Sequence, residues 1–140
     1  MHRLPRLIDA NLNRTREGLR VCEDIVRFIL DDKKLSAYFK SLRHKITKIG
    51  RALYSKKAAL LKSRNVKKDV GKKTSAREVR RKNIADVFRA NIERVKESLR
   101  VLEEMSKLLD KKTSQEFKKI RFRVYELEKK SCIKMENITK

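Results

Sequence analysis

The chain has 140 residues, enough for one domain with a single modest core. Apolar residues make up 39% and charged residues 41%, with three Gly, one Pro and no Trp, a balance of helix formers over breakers. The net charge of +22 calls for acidic partners such as phosphates, nucleotides or nucleic acid, and no apolar run approaches the roughly 20 residues of a membrane span. The N-terminus lacks the apolar segment of a secretory signal. Cys22 and Cys132 alone make no disulfide framework. The expectation is a cytoplasmic protein with two free thiols and no membrane contact.

In chain order, helix 1 begins near Leu4-Pro5, where proline costs no hydrogen bond. Its inward seam is Ile8, Leu12, Thr15, Leu19, Cys22, Val26 and Ile29, a four-three spacing suited to packing between helices. Asp31-Asp32 supplies a stop and the next N-cap. Helix 2 then runs from about Lys33 to Tyr54, with Leu35, Tyr38 or Phe39, Leu42, Ile46, Ile49 and Leu53 inward.

Residues 51–82 hold thirteen Lys and Arg against Asp69 and Glu78, which is half the net charge, and their centre reads as an irregular basic loop. Ser75-x-x-Glu78 is a capping-box pattern expected to start helix 3. Its seam is Ile84, Phe88, Ile92, Val95, Leu99, Leu102 and Leu109, ending near Asp110. Thr113-x-x-Glu116 is a second such pattern, predicted to start helix 4 with Phe117, Ile120, Val124, Leu127 and Ser131 inward and a frayed end.

The chain repeats itself. Ala10–Glu23 and Ala90–Glu103 share eight of fourteen residues, including Asn11/Asn91, Arg14/Arg94, Glu17/Glu97, Arg20/Arg100 and Glu23/Glu103. Apolar periodicity would not preserve those polar positions, so an internal duplication is the economical cause. Phe39–Arg43 echoes Phe117–Arg121 at an offset of 78 rather than 80, so the two interhelix turns differ by two residues. The fold class read from this is all-α: a four-helix bundle of two duplicated hairpins (about 5–54 and 75–133) with pseudo-twofold symmetry, joined by a basic loop at 55–74 in a single domain 1–140.

On helix 1, Asn11, Arg14, Gly18, Val21 and Ile25 form one stripe, and Asn91, Arg94, Ser98, Val101 and Met105 form its counterpart. An amide, a guanidinium fork and then a small residue leave room for a ligand or another helix, and the fork suits phosphate oxygens. Alternating Arg and Glu are equally the pattern of a solvated face or a packing network, each pair worth ~0.2–0.5 kcal/mol. The rival readings are a helical interaction module without enzymatic activity and a basic nucleic-acid-binding protein. The basic segment lacks stacking aromatics apart from Tyr54, which disfavours nucleic acid. No His/Cys/carboxylate cluster has zinc spacing, and Cys22 reads as a small core residue.

The run Ile8–Val21, followed by Glu23-Asp24 and Arg27-Phe28, closely resembles a helical family in thiamine biosynthesis, the monofunctional kinases of hydroxymethylpyrimidine phosphate. Further matches are Leu42-Arg43-His44, Arg64, Asp69-Val70-Gly71, Glu78, Arg81, Asp86-Val87, Asn91, Arg94, Glu97 and Leu99–Glu104. Members occur alone or fused to the N-terminus of thiamine-phosphate synthase, and this chain is expected to be a standalone member. It departs from the pattern after Arg64, where Asn65-Val66-Lys67-Lys68 replaces small residues and Pro-Gly, and at Lys72 and Ser98.

The resemblance implies transfer of the γ-phosphoryl group of ATP, with Mg²⁺, onto 4-amino-5-hydroxymethyl-2-methylpyrimidine phosphate. Carried onto shared positions, it implies Arg14, Glu17, Arg20 and Asp69 as catalytic residues, with Glu17 or Asp69 holding Mg²⁺. Arg43, Arg64, Arg94 and Arg100 join the phosphate clamp, Asn11 and Asn91 read polar atoms of the substrate, and Glu97 and Glu103 orient the arginines. The acceptor is already an ionised phosphate, so no strong general base is needed. Thiamine-phosphate synthase is the functional partner implied, and self-association is left open.

Overall fold

The structure, a computed structural model, describes residues 3–53 and 81–139. The basic loop 55–74, the Ser75/Glu78 capping pattern, Tyr54, Arg64 and Asp69 lie outside the described residues. Within them the chain is all-α: α1 (Arg3–Asp24), a π-helical turn (Ile25–Ile29), α2 (Lys33–Leu53), α3 (Ile84–Ser106) and α4 (Lys111–Thr139). α1 and α2 pack as one hairpin and α3 and α4 as the other, and α1 lies against α3 along the seam that joins them. The expected all-α bundle of two hairpins is what the described residues form.

The α1–α3 seam is antiparallel. The Thr15 and Ser98 hydroxyls share a buried hydrogen bond of 2.7 Å, while Gly18 meets Val95 and the carbonyl oxygen of Asn91. A Cβ on Gly18 would sit 2.6 Å from Val95 Cγ2 and 2.9 Å from Asn91 O, so only glycine allows this approach. The room expected over Gly18 is filled by the other helix. Ile8, Leu12, Leu19, Cys22 and Val26 from α1 join Phe88, Ile92, Val95, Leu99 and Leu102 from α3 in one core, with Phe39 and Phe117 closing it from the outer helices. Phe39 meets Phe88 edge to face at 6.3 Å.

Three inward positions are corrected. Ile29 is 54% exposed because Leu30 N donates to Ile25 O five residues back, and this wider turn carries Leu30 inward in its place. The π turn and Asp31, at φ 52, take up the two extra residues of the first hairpin. Ile84 opens α3 and is exposed, and Leu109 is exposed in the turn that follows α3 at Ser106.

Two helix starts also differ. Residues 81–83 are not helical, and α3 begins at Ile84 with Asn83 Oδ1 accepting from Asp86 N while Lys82 N donates to Asp86 Oδ2. α4 begins two residues before Thr113, capped by Asp110, which accepts from Lys112 N and from the Thr113 hydroxyl. The carboxylate out-competes the hydroxyl because it accepts at both oxygens at once. Asp32 caps α2 as expected, accepting from Leu35 N at 2.9 Å. α4 runs to Thr139, with Met135 buried and Lys134 reaching Asp32 at 3.1 Å.

Candidate functional site

Because the two stripes are copies on antiparallel helices, their polar heads converge on one groove. Asn11, Arg14, Glu17, Gly18 and Val21 from α1 and Asn91, Arg94, Glu97, Ser98 and Val101 from α3 line a cleft of about 660 Å³. Eight of the ten positions in the paired stripes are present; Ile25 and Met105 lie beyond the lining. Thr15 and Ser98 fix the floor: one hydroxyl donates to the other across the seam, and the one that accepts donates in turn to a carbonyl of its own helix, Asn11 O for Thr15 or Arg94 O for Ser98.

The duplicated arginines sort into three environments. Arg20 and Arg100 are more than half exposed and pair along their own helices, with Glu23 and Asp24 and with Glu103 and Glu104. Arg43 donates from Nε to Glu23 at 3.0 Å, and Arg121 donates from Nε to Glu103 at the same distance. Glu23 and Glu103 are buried, so these two pairs pin each hairpin together rather than face the cleft. Arg14 and Arg94 differ: among the described residues no side chain accepts from either, and both line the cleft. Glu17 and Glu97 are likewise without a cationic partner among the described residues. The cleft therefore offers two guanidinium forks and two carboxylates whose formal charges cancel, on a molecule that is otherwise strongly basic.

Glu97 also lines a shallower pocket of about 380 Å³ with Glu93, Lys96, Arg100, Arg121 and Tyr125. Burial works against charge on Lys96, but its bonds to Glu93 and Glu128 outweigh that and raise its pKa. Of this pocket, sequence reasoning named only Glu97 and Arg100; Arg121 was visible only as the counterpart of Arg43. Burial pushes the Cys22 thiol up, which suits a core residue and not a nucleophile. Among the described residues, no three or more His, Cys, Asp or Glu side chains gather to hold a metal, and no helix is long and apolar enough to cross a membrane.

Thiamine-phosphate synthase of Synechocystis sp. is 40% identical over 126 residues, which span 89% of this chain and 35% of the relative. The enzyme of that name from Thermosynechococcus vestitus is 43% identical over 127 residues, 90% of this chain and 34% of the relative. That of Nostoc punctiforme is 40% identical over 124 residues, 88% and 34%. The chain thus spans about a third of the length of the curated relatives it matches. No solved structure matches it. The model of the ThiD2 family matches residues 6–130, with both stripes inside the match, and the chain belongs to that family.

Proposed function

We propose that the protein acts in thiamine biosynthesis by transferring the γ-phosphoryl group of ATP to 4-amino-5-hydroxymethyl-2-methylpyrimidine phosphate. The observation that carries this reading is a pair of arginines, Arg14 and Arg94, on opposite walls of one cleft, with no carboxylate on either among the described residues. Every other duplicated arginine in the stripes and their hairpin partners has a carboxylate. Two forks facing one cleft suit two phosphorylated ligands. The thiamine-phosphate synthases that resemble this chain support the pathway.

In this reading an oxygen of the acceptor phosphate attacks the γ-phosphorus, the bond to the bridging oxygen breaks, and ADP leaves with that oxygen. Arg14 and Arg94 each grip one partner's phosphates and hold the reacting atoms in line. Glu17 and Glu97 supply hard oxygen donors, which fits a Mg²⁺ bound through one or two carboxylates together with substrate phosphates. The bound ion would neutralise charge on the phosphate oxygens. Arg20, Arg43 and Arg100 act from outside the cleft by fixing the helices, and Arg64 and Asp69 keep their proposed roles from the basic segment.

The test is a coupled assay of purified protein with Mg·ATP and the pyrimidine monophosphate, with the unphosphorylated pyrimidine as control. Turnover of the monophosphate alone is the expected result. No turnover, with no thermal shift from either ligand, would leave a helical module whose stripes serve only to join the hairpins.

A further inference from the structure

We propose that Asn11 and Asn91 select ligands with an exocyclic amino group, one at each end of the cleft, with the ligands' phosphates meeting between them. This rests on the kinase reading and adds what the site recognises besides phosphate. Asn11 Nδ2 donates to Leu7 O at 2.9 Å, and Asn91 Nδ2 donates to Val87 O at 2.8 Å. Each amide is thereby oriented, since turning it over would set Oδ1 against a carbonyl oxygen. The remaining amide oxygen of each, Oδ1, can only accept, and both side chains line the cleft. Such an atom favours an amine and repels an oxo group.

The antiparallel register fixed by Thr15–Ser98 and Gly18–Val95 sets the order along the groove. Asn11 lies at one end, then Arg14, then Glu17 and Glu97 at the middle, then Arg94, then Asn91. At 1.5 Å per residue the two asparagines are about 16–17 Å apart along the helices and the two arginines about 7–8 Å. Acceptors at the ends and forks nearer the centre match two ligands laid head to head, each with its heterocycle outward and its phosphate inward. Both substrates of the proposed reaction carry an amino group on a heterocycle.

Calorimetry on the full chain with Mg²⁺ present tests this with two ligand pairs: ATP against ITP, and the 4-aminopyrimidine monophosphate against its 4-oxo counterpart. The amino ligand of each pair is expected to bind at least tenfold more tightly. Asn11→Ala should abolish the preference in one pair and Asn91→Ala in the other, each leaving the opposite preference intact. Equal affinity within either pair for the unmodified protein would overturn the proposal, as would both variants losing the same preference. The kinase reading is read separately by turnover: catalysis with equal kcat/KM for amino and oxo ligands would sink the asparagine role alone. Selective binding without turnover would sink the kinase reading alone.

Discussion

Arg14 and Arg94 have the same side chain as Arg43 and Arg121, but the cost of removing them falls on a different property. A cleft guanidinium with no carboxylate partner among the described residues stabilises little when nothing is bound, so Arg14→Ala and Arg94→Ala should move the thermal midpoint by no more than about 2 °C. Loss of a fork that holds transition-state charge should lower kcat/KM by about 10²–10³-fold. Steady-state kinetics beside a melting curve separates the two, and unchanged kinetics in both variants would remove the clamp. Arg43→Ala has the opposite signature. It strands Glu23, which is 2% exposed, beside an Arg20 no nearer than 3.9 Å. The expected loss is about 3 kcal/mol, at the low end for a broken buried pair, measured by denaturant unfolding. Gly18→Ala should cost about 1–3 kcal/mol, because the added carbon meets the Asn91 backbone as well as the movable Val95 side chain.

At the scale of the helices, both outer ones start from an aspartate whose acidity is tuned by its capping bonds. The Leu35 backbone bond, helped by Lys134, holds the Asp32 carboxyl below its ordinary value. The Thr113 hydroxyl and the Lys112 backbone do the same for Asp110. A depressed folded pKa contributes stability in full above the ordinary aspartate value, about 3.9, and that contribution is lost as pH falls through the lowered value. Asn caps about as well as Asp but does not titrate. Asp32→Asn should therefore lie below the parent protein in stability at pH 7 and converge with it toward pH 2, and parallel curves would contradict this. Asp110 was legible all along, since Asp32 plus the 78-residue offset of the second hairpin lands on it. The Thr113-x-x-Glu116 pattern competed locally and lost to a carboxylate with two acceptors. Asn83-x-x-Asp86 was likewise overlooked for Ser75-x-x-Glu78. The π turn left only the two-residue difference between hairpins as a trace, because bonds to the fifth residue back need no particular composition. The stripes themselves could be read from the repeat. Which arginines find a buried carboxylate could not, since Glu23 and Glu103 sit on one helix of each hairpin and the arginines they hold sit on the other.

For the whole molecule, the seam between hairpins is where the duplicated halves stop being equivalent. Position 15 is Thr where its counterpart 95 is Val, and position 18 is Gly where its counterpart 98 is Ser. The two contacts across the pseudo-twofold axis are thus Thr15 with Ser98, a buried hydrogen bond, and Gly18 with Val95, a close apolar approach. Each contact is complementary by itself, and mixing them would not be: a hydroxyl facing no partner in the seam is a desolvated polar group. Ser98→Gly alone should therefore cost about 1–2 kcal/mol, and Thr15→Val alone a similar amount, since each leaves the remaining hydroxyl with only its own helix carbonyl to bond. The double variant makes both contacts Gly–Val and restores the symmetry of the seam. Its loss should fall short of the sum of the single losses by about 1 kcal/mol, a coupling of the size expected for residues in direct contact. Denaturant midpoints for the four proteins of the cycle measure it. Strict additivity would mean that the hydroxyl pair does not couple the hairpins, and that the floor of the cleft is set by Gly18 and Val95 alone.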